Sequence, residues 1–210
     1  MAPSAEQALS ILRDSSHFEW YLIPFLLVVI YVYFVDIGKK DWSAVCAGLA
    51  FWAMDWHAEI WNAVIFHATG YAPLWGTPGK TAYQILIGLN IEISMMFLIM
   101  GIAAVKLLPA DRAQKILGVP NRLFISALLA ACCILVEMVL NAVGALTWEY
   151  WWWSTRFPFI LFVIAYWPLF LVAFMVHDIE NVRKKCAMTA ALYTWNGILI
   201  AVFGVILRWI

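Results

Sequence analysis

Long apolar runs alternate with short clusters of charged residues along most of this chain. Each run covers about 18–25 residues, the length that a helix needs to cross the hydrocarbon core of a bilayer. Inside lipid every backbone amide must be satisfied within its own segment, so each run is expected to be a helix. The pattern predicts six spans, at residues 19–36, 43–67, 82–105, 123–145, 157–177 and 188–207.

Composition supports the same fold class, an all-α polytopic membrane bundle of about six transmembrane helices. Of the 210 residues, 65% are hydrophobic and only 12% are charged, about half the charged fraction of a soluble domain. We therefore interpret residues 1–210 as a single transmembrane domain, with residues 1–18 as an N-terminal extramembrane or interfacial segment. The apolar spans imply membrane lipids and a lipid-soluble small molecule as partners, and the net charge of zero implies no nucleic acid. The sequence leaves homo-oligomerisation open.

The distribution of basic residues predicts how the bundle lies across the membrane. Loops 37–42, 106–122 and 178–187 together carry nine Lys or Arg residues, whereas the opposite side carries four. By the positive-inside rule these three loops face the cytoplasm, and both termini lie on the other side.

Four acidic residues fall within the predicted spans: Asp55, Glu59, Glu92 and Glu137. No Lys or Arg lies inside a span to pair with them, and a charge at mid-membrane costs at least about 2.5–3.5 kcal/mol. Some of these groups must therefore be protonated, bound to a cation or placed beside a water-filled cavity. At about 1.5 Å per residue, the three glutamates lie at one depth, with Asp55 about one turn deeper. We expect a functional site in this layer.

Polar and aromatic neighbours complete the candidate site. Asp55, Glu59 and Asn62 have the spacing that places them in one stripe of a helix. The candidate substrate-binding residues are Asn62, Asn90, Asn141, His57, Trp56 and Trp167. The structural alternative is that protonated carboxyls and asparagines act as hydrogen-bond partners between helices.

Two further features bear on the shape of the site. The loop of residues 71–81 is rich in Pro, Gly and aromatic residues, and we expect it to fold over the outer mouth of the bundle. The aromatic run of residues 148–153 lies on the same side and is expected to form mostly an interfacial belt. Pro168 should kink the fifth span and free a backbone carbonyl.

Four functions are compatible with buried acids. A neutral carboxylic acid in a dry pocket could protonate an alkene or epoxide of a lipid, with carboxylates and aromatic faces stabilising the carbocation. A carboxylate-bridged membrane metalloenzyme is the second, although the chain lacks the Glu-x-x-His pairs of such bundles. The third is a proton- or cation-coupled transporter, without the internal repeat typical of that class. The fourth is a noncatalytic lipid-binding or assembly protein.

The segments Asp55-Trp-His-Ala-Glu59 and Asn90-Ile-Glu92 resemble motifs of two families of small membrane enzymes. One is the EXPERA group, typified by the emopamil-binding sterol isomerase, with a His and a Glu a turn apart on its second helix and a Glu on the third. The other is the integral membrane terpene cyclases, whose second-helix Glu and late acidic residue match Glu59 and Asp178. In this chain His57 lies two residues from Glu59 rather than four. Both resemblances imply a buried acid that protonates an isoprenoid double bond or epoxide.

These observations predict a membrane-embedded acid–base enzyme of the isomerase or cyclase type, acting on an apolar isoprenoid or sterol-like lipid. Glu59 is the expected proton donor. The other three acids, Asp55, Glu92 and Glu137, would tune its acidity or shape the charge of the pocket. Asn62, Asn90 and Asn141 would orient these acids through hydrogen bonds. The sequence indicates no cofactor and no metal ligand set.

Overall fold

Helices make up most of the chain. The computed structural model describes residues 1–210, except for the side chain of His17. Its α-helices are α1 (Pro3–Ser10), α2 (Leu22–Gly38), α3 (Trp42–Thr69), α4 (Ile91–Lys106), α5 (Asn121–Ala142), α6 (Pro158–Asp178) and α7 (Val182–Ile206). A 3-10 turn covers Ser15–His17, and two short antiparallel strands, β1 (Lys115–Ile116) and β2 (Val119–Pro120), precede α5.

Among the described helices, three are long and apolar enough to cross a membrane: α5, α6 and α7. Helix α2 is also apolar but shorter. The prediction of an all-helical membrane protein is confirmed at this level. The count of six spans stays a prediction.

Helix α3 is the centre of the bundle and packs against α2, α4, α6 and α7. Its crossing with α4 is close because glycine faces glycine: a Cβ on Gly101 would lie 2.9 Å from the Cα of Gly48. Small residues at such crossings allow helix backbones to approach in lipid. Buried Phe51 then contacts Phe97 of α4 and Phe170 of α6, with ring centroids 5.6 and 4.7 Å away.

Hydrogen bonds from α7 tie that helix to α3. The side chains of Thr189, Tyr193 and Asn196 donate to backbone carbonyls of α3 at 3.3, 2.9 and 2.7 Å. Their spacing puts all three in one stripe of α7, where each polar group is satisfied within apolar surroundings. The helix that carries Asp55 and Glu59 is thereby held along several turns.

Ion pairs identify the end of the bundle at which the basic loops meet. Lys106 of α4 pairs with buried Asp36 of α2 at 2.6 Å. Arg122 of α5 donates to both carboxylate oxygens of Asp178 of α6, at 2.9 and 3.0 Å. The loops after α2, α4 and α6 therefore share one end, which we call the basic end. Helix α1 lies at the opposite end, where the Ala2 N–H bonds to the Tyr71 carbonyl at 2.9 Å.

Residues 70–90 form a packed loop, although the sequence predicts a span from residue 82. Helix α4 begins at Ile91, and the side chain of Asn90 caps it by accepting from the Ile93 N–H at 2.8 Å. Within the loop, buried Gln84 donates to the Thr77 hydroxyl at 2.6 Å. The prediction is wrong for residues 82–90 because their apolar side chains are buried in a loop, which hydropathy does not distinguish from a helix.

Helix α6 contains a wide turn of π type at Phe162–Tyr166, and α7 contains another at Ile200–Ile206. In α6 the Trp167 N–H bonds to the carbonyl of Phe162, five residues earlier. Pro168 follows directly and has no N–H with which to continue the regular ladder. The irregularity predicted near Pro168 thus takes the form of a π-turn.

Candidate active site

A cavity of about 250 Å³ lies between α3, α4, α5 and α6. Its walls are mainly apolar, as in Ile93, Met96, Phe97, Leu140, Leu146 and Leu169. Its acidic and phenolic side chains are Asp55, Glu59, Glu137 and Tyr166. No basic side chain lines it among the residues that the structure describes. The cavity therefore combines a concentration of acids with surroundings that solvate charge poorly.

The cavity opens sideways between α4 and α5. Helix α5 packs chiefly against α6, and it meets α4 where the Cys133 sulfur lies 3.7 Å from the Met100 sulfur. Beyond this contact, toward the end opposite the basic loops, the lining residues Met96, Val136 and Leu140 are exposed. These exposed side chains make the opening of the cavity apolar.

The loop after α3 holds Glu59 in one orientation. The indole N–H of Trp75 donates to Glu59 Oε1 at 2.7 Å. Asn62, one turn along α3, fixes this loop, because its Oδ1 accepts from the Leu74 N–H and its Nδ2 donates to the Trp75 carbonyl, both at 2.7 Å. The Trp75 ring stacks on the buried ring of Trp153, with centroids 5.7 Å apart. The loop therefore contributes Trp75 to the cavity wall and positions the central acid, whereas its place at the outer mouth of the bundle stays a prediction.

Gly88 lets the other arm of this loop approach the same carboxyl. A Cβ at this position would lie 2.5 Å from Asn62 Nδ2, 2.7 Å from Glu59 Oε2 and 2.7 Å from Trp75 Cδ1. Real Cβ atoms essentially never come this close to heavy atoms. The site therefore fits together only around a residue without a side chain.

Two of the acids keep a buried oxygen without a hydrogen-bond partner. Within the described part of the chain, Asp55 Oδ2 and Glu59 Oε2 are both in this state. The two residues are 4% and 3% exposed, so solvent does not satisfy these oxygens from outside. An unsatisfied buried acceptor costs about 1–3 kcal/mol, and more when it is charged. In Asp55 and Glu59 these oxygens belong to residues that line the cavity.

The acids act on one another electrostatically. Asp55 interacts with Glu59, Glu59 with Glu137, and Glu137 with the phenol of Tyr166. They do not form a metal site by their positions, since no three His, Cys, Asp or Glu side chains of the described residues are grouped to hold an ion. The arrangement is a cluster of interacting acids around an apolar space.

Comparison with known proteins places the chain in a family. Residues 2–205 match the model described as "Uncharacterized membrane protein family". The chain belongs to that family. Membership agrees with the apolar helices in indicating a membrane protein, and the family description names no activity.

Two proteins of Archaeoglobus fulgidus are similar to this family member, and each is named "Uncharacterized protein". One is 55% identical over 207 residues, which cover 99% of this chain and 98% of the relative. The other is 40% identical over 53 residues, which cover 25% of this chain and 95% of the relative. No solved structure matches the chain.

The cavity brings together three of the four predicted catalytic residues: Asp55, Glu59 and Glu137. Glu92 lies elsewhere, in the first turn of α4, where a negative charge also favours the helix N-terminus. Its carboxylate accepts hydrogen bonds from the Tyr21 hydroxyl, the Thr81 hydroxyl and the Ala82 N–H. Glu92 thus joins the start of α2 to the loop before α4. The cavity does not include Glu92, and the common depth of the three glutamates stays a prediction.

The predicted asparagines support the site from outside the cavity. Asn62 holds the loop that carries Trp75, and Asn90 caps α4. Asn141 donates to the carbonyl of Leu146 at 3.1 Å, and Leu146 lines the cavity. Of the three, Asn62 contributes most directly to the position of Glu59, because it holds the loop whose Trp75 bonds to that carboxyl.

The predicted histidine and tryptophans face away from the acids. His57 packs edge-on against Trp61, with ring centroids 6.3 Å apart. Trp56 lines a separate cavity of about 270 Å³ beside α7. The Trp167 indole donates to the Ser126 hydroxyl at 2.9 Å and so joins α6 to α5.

Sequence reasoning misses three residues that shape the site. Trp75 lies in the loop expected to be a lid, but nothing local indicates that its N–H reaches Glu59. Gly88 falls in the stretch predicted to be helix. Tyr166 is the last residue of the π-turn, and the regular helical period does not place it in the cavity. Trp153, expected in an interfacial belt, is instead buried in the core.

Proposed function

We propose that this protein is a six-span, membrane-embedded acid–base enzyme of the isomerase or cyclase type. Its proposed substrate is an apolar isoprenoid or sterol-like lipid. The observation that supports this most strongly is the convergence of three carboxyls on one apolar cavity. In the proposed topology its opening between α4 and α5 faces lipid. Ionisable side chains at membrane depth are costly, and they most often mark functional sites.

Glu59 is the proposed proton donor. Its Oε1 accepts from Trp75, whereas its buried Oε2 has no partner among the described residues. A neutral carboxyl with its proton on Oε2 would present that proton to a bound molecule rather than to a protein acceptor. Transfer of this proton to an alkene carbon or epoxide oxygen leaves Glu59 as a carboxylate and gives the substrate a positive charge.

The remaining groups of the cavity suit the cationic stage of such a reaction. Asp55 and Glu137 would stabilise the positive charge, and the rings of Tyr166 and Trp75 offer cation–π contacts. Loss of a proton from a neighbouring carbon to one of the carboxylates then forms a new double bond. One proton is added and one is removed, so the net reaction is an isomerisation or cyclisation that consumes no co-reactant.

The proposal includes the topology, with α2 to α7 as spans and the basic end in the cytoplasm. Cys186 lies exposed at the basic end, near the start of α7. A membrane-impermeant thiol reagent should therefore label Cys186 in inverted vesicles and leave it unlabelled in intact cells. The reverse labelling pattern would refute the orientation.

The activity can be tested by solvent exchange. The purified protein, reconstituted in nanodiscs with linear and cyclic isoprenoid alkenes, is incubated in heavy water, and the lipids are analysed by mass spectrometry. We expect deuterium incorporation or a shifted double bond, and a loss of about 10²–10⁴-fold in Glu59→Gln. Glu92→Gln is the matched control, because it changes a glutamate that lies outside the cavity.

The outcomes separate the alternatives. Activity that survives in Glu59→Gln would refute the role of this residue, and a variant that unfolds would make Glu59 a structural hydrogen-bond partner. Lipid that co-purifies with the wild type but never exchanges would indicate a noncatalytic lipid-binding protein. Ion-dependent uptake in proteoliposomes without lipid chemistry would indicate a transporter.

A further inference from the structure

A pair of cysteines lies at the basic end, outside the candidate active site. Cys46, in the second turn of α3, is buried, and Cys186, in the second turn of α7, is exposed. Their sulfur atoms lie 3.5 Å apart, although 140 residues separate them in the chain. A disulfide requires about 2.05 Å, so the sulfurs need to approach by roughly 1.5 Å, which small side-chain rotations can supply.

A buried cation stands beside this pair. Lys185 is 1% exposed, and its ammonium donates to the Ser43 hydroxyl and to the His177 carbonyl. In the part of the chain that the structure describes, no carboxylate forms an ion pair with it. Its ammonium interacts electrostatically with Cys46. The ammonium also interacts with Asp41 and Asp178, and its positive charge favours the thiolate of Cys46 when that sulfur reacts.

We propose that Cys46 and Cys186 form an oxidisable dithiol that closes to a disulfide and so joins the start of α3 to the start of α7. The oxidant is a small-molecule disulfide. The exposed Cys186 thiolate attacks one sulfur of the reagent and expels its first thiolate, which leaves a mixed disulfide on Cys186. The Cys46 thiolate then attacks Cys186 Sγ and expels the second thiolate. The protein loses two electrons, and the two cysteine protons pass to the two released thiolates.

The other two cysteines provide an internal comparison. Cys132 and Cys133 are adjacent in α5, so they point to different faces of the helix. Cys132 is exposed midway along α5, a helix long and apolar enough to span a membrane, so we expect charged oxidised glutathione to leave it unmodified. A variant with both replaced by serine isolates the proposed pair.

The experiment counts thiols in the purified full-length protein. The reduced protein is incubated with oxidised glutathione, quenched with N-ethylmaleimide in denaturant and analysed by intact mass and peptide mapping. In Cys132→Ser/Cys133→Ser, two free thiols should fall to none, with a peptide that links Cys46 to Cys186. In the same background Cys46→Ser should retain glutathione on Cys186, and Cys186→Ser should keep Cys46 free.

Three results would overturn the proposal. Glutathione that stays on Cys186 while Cys46 is intact would show that Cys46 does not resolve the adduct. Failure of Cys186 to take up glutathione in Cys132→Ser/Cys133→Ser/Cys46→Ser, in which no resolving cysteine remains, would show that it is not an attacking thiol. A disulfide between Cys132 and Cys133 in the wild type, with Cys46 free, would show that oxidation takes place at a different pair of cysteines. The wild type and Cys186→Ser suffice for the test if Cys46→Ser does not fold.

Discussion

Gly88→Ala should displace the carboxyl of Glu59 without any change to α3, the helix that carries it. The added Cβ would lie 2.5–2.7 Å from atoms of Asn62, Glu59 and Trp75, whereas ordinary contact begins at 3.4 Å. The neighbours must therefore move by roughly 0.7–0.9 Å, the difference between these distances. All three neighbours take part in the hydrogen bonds around Trp75, so a shift of this size lengthens or breaks these bonds.

The expected cost follows from two contributions. Overpacking of a well-filled site costs about 1–3 kcal/mol. Loss of the Trp75 to Glu59 hydrogen bond adds about 0.5–1.5 kcal/mol. We expect the free energy of unfolding to fall by about 1.5–4.5 kcal/mol, measured by titration with dodecyl sulfate in mixed micelles. We also expect the deuterium-exchange activity to fall, because Glu59 no longer faces the cavity in the same position.

Gly197→Ala is the control for this prediction. Gly197 lies within α7, where an added Cβ meets nothing within 4 Å. Because glycine inside a helix costs about 0.5–1 kcal/mol relative to alanine, this variant should be as stable as the wild type or slightly more so. If Gly88→Ala and Gly197→Ala have the same free energy of unfolding and both keep full activity, the close packing around Glu59 is refuted.

Two further substitutions test the loop and the basic end. Trp75→Phe keeps a ring to stack on Trp153 but removes the indole N–H, so we expect turnover to fall by about 10–100-fold in the exchange assay; unchanged turnover would show that Glu59 does not depend on this donor. Arg122→Lys replaces two hydrogen bonds to Asp178, at 2.9 and 3.0 Å, by at most one. We expect a loss of about 1–3 kcal/mol in the dodecyl sulfate titration, and wild-type stability would contradict this.

The features that are local in sequence could be predicted from it. Hydropathy depends only on the residues within each apolar run. The predicted span 157–177 therefore differs by a single residue at each end from the helix Pro158–Asp178. The stripe of Asp55, Glu59 and Asn62 follows from helical spacing alone. The same locality explains why three of the four predicted catalytic acids lie in the cavity.

The features that depend on how the segments meet could not be predicted. Residues 82–90 are as apolar as a span, but hydrogen bonds such as that from Gln84 to Thr77 satisfy them as a loop. Once α4 starts at Ile91, Glu92 falls at its first turn, where Thr81 and Ala82 of the preceding loop bond to its carboxylate. Trp75 and Gly88, which contact Glu59, follow it by 16 and 29 positions in the chain. Both lie in a loop, and no sequence periodicity predicts the path of a loop.

The π-turn of α6 has a consequence for the chemistry of the cavity wall. One residue turns a helix by about 100°, so the extra residue at Phe162–Tyr166 puts the two halves of α6 out of phase. This phase shift determines which position of α6 faces Glu137, and the residue type at that position determines the side chain. A family member that lacked one residue in this turn would keep the same bundle and the same acids on α3 and α5. It would nevertheless present a different side chain where Tyr166 stands, and with it a differently shaped space for the substrate.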